Sequence, residues 1–295
     1  MNRTRIIFVL LSLARWHCLS GVIMASGWTP ASALGQSHQY IVTELSVEDA
    51  HAIPCKLNNL GDIAGRVGGA LEGKTRATIW NRSNFKSKHL AGLANGDDYS
   101  SALDINDLGD IAGVSNTGTG LIPFVWAEKE GASKIQLLPG DSCGQAIAIN
   151  KHGHIVGYSS GRTGAKAFLW VRQTGVRNLG VLSGGSYSTA RDINDSDEVA
   201  GTSGSPNGER AVLWTKTGNI VDIGTLPGDW ASEATAINNH GEIVGNSKGP
   251  RGTRAFFWSS VGGMEEVGVL PGGTSSRAMD IPSFCDGRTK MSARR

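Results

Sequence analysis

Aromatic and acidic side chains follow a short turn motif at several points of the chain, and this combination could bind a sugar or a protein. Asp229 precedes Trp230 after a Leu-Pro-Gly turn, and three further residues hold related positions: Asp141, Tyr187 and Tyr99. An aromatic ring beside a carboxylate can stack on a sugar or dock a partner, because the ring buries area at low entropic cost. The alternative interpretation is that Trp230 packs on its own loop.

A column of basic residues is the second candidate binding feature. These residues stand at matching positions just before an apolar segment: Arg76, Lys166, Arg210 and Arg254. If the chain closes into a ring, their summed potential could attract an anionic polysaccharide or phosphate. The preferred interpretation is that they are solvated strand ends, which nearby acids such as Asp141, Asp229 and Glu233 neutralise.

Other acids and histidines give weaker indications of chemistry. Two acidic triplets surround Asn-containing turns: Asp104, Asp107 and Asp110, and Asp192, Asp195 and Asp197. They lack the strict spacing of a calcium loop, so turn chemistry explains them better. His152 and His154 have no third metal ligand near them in sequence. Because no nucleophile elbow, phosphate loop or dinucleotide fingerprint occurs, we expect no catalytic residues, no metal and no cofactor.

A repeat of about 44 residues must position these side chains. Its asparagines follow Leu or Ile at spacings of 48, 44, 44 and 44: Asn58, Asn106, Asn150, Asn194 and Asn238. A glycine stands seven residues after each Asn: Gly65, Gly113, Gly157, Gly201 and Gly245. Each unit also carries one tryptophan: Trp80, Trp126, Trp170, Trp214 and Trp258. Several columns that share one period indicate a repeat architecture.

One unit predicts four short strands, over residues 146–150, 155–159, 167–170 and 176–182. Asn-x-x-Gly between the first two predicts a hairpin turn, because Asn bonds its own backbone and Gly adopts positive φ without strain. Asp197 replaces this Gly in the fourth unit, and Asp tolerates the same conformation. No stretch keeps a period of 3.6, so helices are not expected.

Four strands and one Trp per unit are typical of the blades of a β-propeller. We therefore predict an all-β, propeller-like array of about five units, near residues 52–101, 102–145, 146–189, 190–233 and 234–277. A β-solenoid is the alternative, but no capping repeats are visible. Residues 40–45 resemble a last strand without its blade, while residues 277–281 begin a further unit that Pro282 interrupts. The ring then closes on five units or the chain is a fragment.

The two ends of the chain carry different signals. Residues 1–33 combine early arginines, an apolar run and an Ala-Ser-Ala end, the order of a secretory signal peptide, with an uncleaved anchor as the alternative. The repeat domain spans 34–282, and the tail 283–295 does not match the repeat. After cleavage three thiols remain, at Cys55, Cys143 and Cys285, which exclude a full disulfide framework. Cys55 and Cys285 could pair if the ring closes.

Several motifs resemble the HAF family of bacterial extracellular repeat proteins. They are Ile149-Asn150 followed by Gly153 and Ile155-Val156-Gly157, then Ala167-Phe168-Leu169-Trp170, and Gly268-Val269-Leu270-Pro271-Gly272-Gly273. The resemblance covers about residues 40–281. The family's His-Ala-Phe signature is not intact, because its His position holds Arg76, Ile122, Lys166, Arg210 and Arg254. The resemblance implies secretion or surface display by a bacterium and no assigned catalysis.

Composition narrows the functional classes. The 295 residues include 28 Lys and Arg against 26 Asp and Glu, a net charge of +2, which argues against a nucleic-acid partner. The 41 glycines indicate frequent turns. We expect an exported, non-enzymatic binding or structural module outside the cell or in the periplasm, with a polysaccharide or protein as partner. The alternative is a secreted propeller glycosidase or polysaccharide lyase, which would need two carboxylates converging on an axial pocket.

Overall fold

The computed structural model describes residues 7–10, 41–45, 50–69, 74–93 and 98–281, and in this part of the chain it contains strands and no helix. A two-stranded sheet pairs β1 (Ile7–Leu10) with β2 (Ile41–Glu44). Five four-stranded sheets follow, and we call them blades 1 to 5. Blade 1 consists of β3 (Ala50–Leu57), β4 (Ile63–Gly69), β5 (Thr75–Trp80) and β6 (Ser87–His89), and blade 2 of β7 (Ser100–Ile105), β8 (Ile111–Asn116), β9 (Leu121–Ala127) and β10 (Gly131–Lys134). Blade 3 consists of β11 (Asp141–Ile149), β12 (Ile155–Gly161), β13 (Gly164–Val171) and β14 (Gly175–Asn178), and blade 4 of β15 (Ser188–Ile193), β16 (Val199–Ser205), β17 (Gly208–Trp214) and β18 (Ile220–Gly224). Blade 5 consists of β19 (Ala231–Ile237), β20 (Ile243–Gly249), β21 (Gly252–Ser259) and β22 (Gly263–Glu266).

Each blade is an antiparallel meander whose strands pair in sequence order. The first strand of a blade packs against the first three strands of the blade before it, as β7 packs on β3, β4 and β5. The first strands therefore surround the centre and the fourth strands lie outside. Each repeat forms its own sheet of four strands, whereas the repeats of a β-solenoid would extend shared sheets. The propeller-like prediction is confirmed, and the solenoid alternative is wrong.

The segment 276–281 takes the place of a further first strand beside blade 5. Its Ala278 exchanges hydrogen bonds with the Asn246 side chain, whose Oδ1 accepts from the Ala278 amide at 3.0 Å. On the other side, Lys56 Nζ of β3 donates to Asp280 Oδ2 at 2.9 Å. This ion pair links the segment 276–281 to the first strand of blade 1.

The apolar core lies between adjacent blades, and the tryptophan column fills it. Trp214 is fully buried among residues of blades 3 and 4, and Trp126 lies in the cluster that joins blades 1 and 2. Trp80 is buried against Leu45, the residue after β2. Trp170 and Trp258 are only partly buried at their own blade junctions. One blade cannot cover these faces alone, so burial at the junctions couples the repeats.

The asparagine column holds the turn between the first two strands of each blade. In blade 3, Asn150 Oδ1 accepts hydrogen bonds from the amides of His152 and His154, each at 3.0 Å. Gly153 has φ of 76°, and Asp197 takes the same left-handed conformation in blade 4 with φ of 64°. The predicted turn is confirmed, including its substitution by Asp.

The same asparagines also join one blade to the next, which the sequence did not predict. The Nδ2 of each of the first four donates to the backbone carbonyl of its counterpart in the following blade, at distances between 3.0 and 3.1 Å: Asn58 to Asn106, Asn106 to Asn150, Asn150 to Asn194, and Asn194 to Asn238. All five side chains are buried. One residue per repeat therefore satisfies both its own turn and the neighbouring blade.

The glycine column allows two strands to approach closely. In the first strand, a β-bulge stands opposite each glycine, as between Ala102 and Asp104 opposite Gly113. A Cβ on Gly113 would fall inside contact distance of the Ser101 carbonyl oxygen and of the Phe124 ring. The matching glycines are crowded in the same way, so this column is a packing requirement.

Two columns of buried serines form further bonds between blades. Serines on first strands accept from the third strand of the preceding blade, as Ser188 Oγ accepts from the Ala167 amide at 3.0 Å. Serines on second strands accept from the loop that leads into their blade, as Ser159 Oγ accepts from the Leu138 amide at 3.0 Å. These hydroxyls satisfy amides that the sheets leave unpaired at the junctions.

Several predictions about the chain ends lie outside the described residues. Apart from Ile7–Leu10, the predicted leader 1–33 is among them, as are the tail 283–295 and Cys285. Its pairing with Cys55 therefore stays a prediction. In the part of the chain that the structure describes, no helix is long and apolar enough to cross a membrane.

Candidate functional site

The connections between strands divide between the two ends of the ring. The loops between second and third strands, together with the connections between blades, form what we call the loop face. The turns that begin at the asparagines, together with those between third and fourth strands, form the turn face. This division follows from the meander order of every blade. The predicted aromatic and basic residues belong to the loop face.

Trp230 is the exposed aromatic residue of the loop face. It lies in the connection from blade 4 to blade 5, and 58% of its surface is exposed. Its backbone is fixed on both sides, because its amide donates to the Lys248 carbonyl at 3.0 Å and its carbonyl accepts from Arg210 Nη1 at 2.8 Å. An exposed ring on a fixed backbone can stack on a ligand without a large ordering cost.

Arg210 and Lys166 hold loops instead of projecting as free cations. Lys166 Nζ donates to the carbonyl of Ser186 at 2.6 Å, and Ser186 precedes Trp230 by one repeat. Arg210 makes the equivalent bond to Trp230. These two members of the basic column therefore hold the next blade's entry loop, and the Arg210 Nε also lies 3.9 Å from Asp222 Oδ2.

Arg254 and Asp229 are buried, which corrects the expectation that they lie on an open binding surface. Arg254 Nη2 contacts Asp229 Oδ1 at 2.5 Å and Nη1 contacts Glu266 Oε2 at 2.5 Å, with 3% of the Arg254 side chain exposed. The two carboxylates outweigh the desolvation of the guanidinium and raise the Arg254 pKa. Blade 5 has carboxylates on both sides of its basic residue, so this residue turns inward.

The remaining predicted residues of the loop face are half-buried. Tyr187 donates its hydroxyl to Glu209 Oε1 at 2.9 Å, and burial with this bond raises the Tyr187 pKa to about 12. Asp141 accepts from Ser159 Oγ at 2.6 Å. Tyr99 and Arg76 lie beside blade 1, where Tyr99 bridges to Thr75. Tyr187, Asp141 and Tyr99 thus lie at three other blade entries and are less exposed than Trp230.

The acids and histidines of the turn face serve the turns. His154 Nδ1 lies 2.7 Å from Asp197 Oδ1, and this contact joins blade 3 to blade 4. The His152 ring is 5.8 Å from the His154 ring, centroid to centroid. Within the described ranges, no three His, Cys, Asp or Glu side chains are arranged to hold a metal ion.

A charged cluster that was not predicted from the sequence lies at the centre of the ring, and we call it the axial cluster: Lys56, Asp104, Asp192 and Asp280. These residues hold one repeat position, two residues before the asparagine column or, for Asp280, before Pro282. Ala148 and Ala236 occupy the same position in blades 3 and 5. Because the residue type changes along this column, a search for identical residues does not detect it. The alternation of Asp and Ala at a fixed spacing was the available signal.

The axial carboxylates connect neighbouring blades. Asp104 Oδ2 accepts from the Ile149 amide of blade 3 at 2.8 Å, and Asp192 Oδ2 accepts from the Ile237 amide of blade 5 at 2.9 Å. The other oxygen of each carboxylate accepts from the amide of the following residue. Both carboxylates are therefore fixed by the scaffold, which limits their freedom to reach a substrate.

The ring shifts the proton affinities of this cluster. Burial raises the pKa of Asp104 to about 6 and that of Asp192 to about 7, although Lys56 and backbone amides oppose both shifts. Partial burial of the Lys56 side chain, which is 36% exposed, lowers its pKa, but attraction to Asp280, Asp104 and Asp192 is stronger, so its net shift is upward. Burial therefore makes Asp104 and Asp192 weaker acids than exposed carboxyl groups.

Comparison with known proteins shows the fold. No protein-family model matches the chain, and no curated protein matches it in sequence. The structure of TolB from Acinetobacter baumannii is similar with a TM-score of 0.53 and 15% identity, over 70% of this chain and 52% of TolB.

Virginiamycin B lyase from Staphylococcus aureus, in its selenomethionine-substituted form, gives a TM-score of 0.53 and 13% identity, over 80% of this chain and 75% of the lyase. A puromycin hydrolase gives 0.57 and 12%, over 78% of this chain and 40% of the hydrolase. The chain thus spans about half of TolB and less of the hydrolase. TolB, a lyase and a hydrolase share its architecture, which is that of a β-propeller.

Proposed function

We propose that this chain is an exported bacterial repeat protein of HAF type, whose propeller binds an extracellular polysaccharide or protein without catalysis. The observation that carries the proposal is Trp230, whose ring is exposed while its backbone is held by Arg210 and Lys248. A large exposed aromatic on a fixed loop is a feature of binding surfaces, where Trp is enriched among energetically dominant residues.

Charge around Trp230 supports an acidic or polyhydroxylated ligand. Lys166 holds the loop face one blade before Arg210, while Arg210, 15% exposed, holds Trp230 and lies 3.9 Å from Asp222 Oδ2. The carboxylates nearby are already engaged, because Asp229 pairs with Arg254 and Asp141 with Ser159. Carboxylates held in this way are poorly placed for the paired acid and base work of a glycosidase.

Binding is tested by titrating the full chain with a panel of neutral and anionic polysaccharides, following tryptophan fluorescence and calorimetry. We expect one class to bind, and Trp230→Ala to weaken it at least tenfold, as for a residue worth about 2 kcal/mol. Val261→Ala is the control, because Val261 is 98% exposed on the turn face. Equal affinity in Trp230→Ala and the parent chain would contradict this assignment.

The enzyme alternative has one observation in its favour, which is the raised pKa of Asp104 and Asp192. A carboxyl group with a pKa near 7 suits a general acid. If the propeller is a glycosidase or lyase, the same polysaccharides are cleaved, and Asp104→Asn and Asp192→Asn abolish cleavage. If it is a binding module, reducing-end and unsaturated-product assays stay at background for all variants.

A further inference from the structure

The segment 276–281 has the contacts of a first strand, so it begins a sixth blade. Ser276 Oγ accepts from the Ala255 amide of blade 5 at 2.9 Å, as the matching serines of blades 2, 4 and 5 accept from the blade before them. Ala278 and Ile281 are buried in one apolar cluster with residues of blade 5. The inner edge of the sixth blade is therefore built like that of the other blades.

β2 takes the place of the fourth strand of the same blade. Leu45, which follows β2, packs with Trp80 of blade 1, as Leu179 at the end of blade 3 packs with Trp214 of blade 4. β1 pairs with β2 in the register that third strands have with fourth strands. β1 belongs to the predicted leader, and its removal would not change the edge of 276–281. In the part of the chain that the structure describes, no strand takes the second place beside 276–281.

The leucine that leads into each blade reveals what a second strand does there. In blades 2 to 5 its amide donates to a serine Oγ of the second strand, at distances from 2.9 to 3.3 Å: Leu93 to Ser115, Leu138 to Ser159, Leu182 to Ser203, and Leu226 to Ser247.

Leu270 holds the same position before 276–281, but it lies open. Among the described residues, none accepts a hydrogen bond from its amide. Leu270 is 44% exposed, against 2% for Leu226 and 8% for Leu138. The Gly273 amide donates to the Leu270 carbonyl at 2.8 Å, so the turn itself forms as in blade 4. The second strand is therefore what distinguishes Leu270 from its counterparts.

Blades 2 to 5 specify the residues of a strand that fits this edge. Their second strands carry two apolar residues, a glycine and, two positions later, a serine: residues 111–115, 155–159, 199–203 and 243–247. The two apolar residues are buried, as Ile243 and Val244 are. The glycine is required because a Cβ on Gly245 would collide with the Glu233 carbonyl of the first strand. The serine accepts from the leucine amide.

The tail 283–295 does not carry this pattern. At the matching positions, 287–291, the sequence reads Gly-Arg-Thr-Lys-Met. It places an arginine where the other blades bury an apolar residue, a threonine where they need glycine, and no hydroxyl at the serine position. Burying an unpaired charge is costly, so the edge fits a peptide of different sequence.

We propose that the edge of 276–281 is a docking site for an extended segment of another polypeptide, which adds the second strand of the sixth blade. The segment carries two apolar residues, a glycine and, two positions later, a serine. Backbone hydrogen bonds to 276–281 give affinity, and the glycine and serine positions give specificity, as in β-strand addition. An unpaired strand edge is a template for such pairing. The site does not include Trp230, so it does not rest on the proposed function.

A peptide that copies β20 tests this proposal on the full chain. The probe is fluorescein-labelled Gly-Glu-Ile-Val-Gly-Asn-Ser-Lys-Gly, the sequence of residues 241–249, and fluorescence anisotropy follows its binding. We expect saturable binding of one peptide per chain, and the Gly245→Val peptide should bind at least about tenfold more weakly. No saturable binding, or equal binding of the two peptides, would overturn the proposal.

Substitutions in the full chain show where the peptide binds. Leu270→Asp should weaken binding at least about tenfold, because the added strand would cover the new charge, while the free chain leaves this position 44% exposed. Val261→Asp is the matched control, because Val261 is 98% exposed on the turn face of blade 5. Trp230→Ala should also leave peptide binding unchanged, which separates this site from the loop face. Equal affinity in Leu270→Asp and Val261→Asp would contradict the proposed site.

Hydrogen exchange on the unsubstituted chain locates the added strand directly. Without peptide, amides in 276–281 should be at least about tenfold less protected than those of β7, which β8 already pairs, and saturating peptide should remove this difference. If 276–281 is as protected as β7 before peptide is added, the chain fills the edge itself and the proposal fails. Loss of protection in β19 on adding peptide would mean that the peptide replaces the strand it copies, which refutes the proposal equally.

Discussion

Replacing Asn106 by alanine tests whether one side chain per repeat couples the blades. Asn106 is 5% exposed, and its Nδ2 donates to the Asn150 carbonyl of the next blade at 3.1 Å. Its Oδ1 accepts from the Leu108 and Asp110 amides, each at 3.0 Å. Three hydrogen bonds worth about 1 kcal/mol each give a loss of about 3 kcal/mol. Such a loss is a large share of the stability of an ordinary domain.

Urea unfolding at pH 7, with the midpoint and slope fitted together, measures this loss. Two alanine substitutions calibrate it. Asn219 is exposed, and its side-chain Nδ2 makes a single contact, to Thr217 Oγ1 at 3.3 Å. Asn219→Ala should therefore cost less than about 0.5 kcal/mol. Asn81 holds a turn through Ser83 within a single blade, so Asn81→Ala should cost about 1 kcal/mol. If Asn106→Ala costs no more than Asn81→Ala, the bond between blades contributes nothing and the reasoning fails.

Two further substitutions examine buried contacts by thermal unfolding. Gly113→Ala should destabilise by about 2 kcal/mol or more, because its Cβ would collide with backbone and ring atoms, whereas Gly268→Ala has no atom within 4 Å and should be neutral. Arg254→Met should cost about 3 to 5 kcal/mol, because it leaves the buried Asp229 carboxylate without its cationic partner, and the Ser247 hydroxyl alone does not balance the charge. Arg251→Met is its control, since this side chain is 61% exposed and should change stability by less than about 0.5 kcal/mol. If the two glycine variants lose the same stability, the close approach at Gly113 does not matter. If the two arginine variants lose the same stability, the buried ion pair of Arg254 does not matter.

The period and the turn chemistry predicted the fold because they depend on local rules. An Asn followed three residues later by a residue with positive φ specifies the same hairpin wherever it occurs. Asp197 adopts this conformation in place of Gly, with φ of 64°. The predicted strand 146–150 was nevertheless too short, since β11 begins at Asp141. This strand continues to the Leu138 turn because β12 is long enough to pair with it there.

The bonds between blades could not be predicted, because their partners are one repeat apart and meet only in the folded ring. Ser188 looks like an ordinary strand residue until Ala167 is placed beside it. Arg254 shares its column with Arg210, yet only Arg254 is surrounded by carboxylates and becomes buried. Local sequence rules contain no information about such neighbours.

The axial cluster shows the same limit most clearly. Asp104 and Asp192 are similar to other turn acids in sequence, and the interpretation as turn chemistry treated them alike. Their shifted pKa values arise because the ring removes them from bulk water and gathers them around Lys56. Charge at an axis depends on closure, so it becomes visible only when the whole ring is assembled.

Closure of the ring is the claim on which the binding face and the axial cluster both depend, and chemical cross-linking tests it most directly. A zero-length carbodiimide reagent should join Lys56 to Asp280, because they are 2.9 Å apart and their side chains are 36% and 35% exposed. Lys88 and Glu128, 2.7 Å apart on blades 1 and 2, provide the positive control. We predict that mass spectrometry of the native monomer finds both cross-links and that urea abolishes the first. A native monomer that yields the control cross-link without the Lys56 to Asp280 cross-link would contradict a closed propeller.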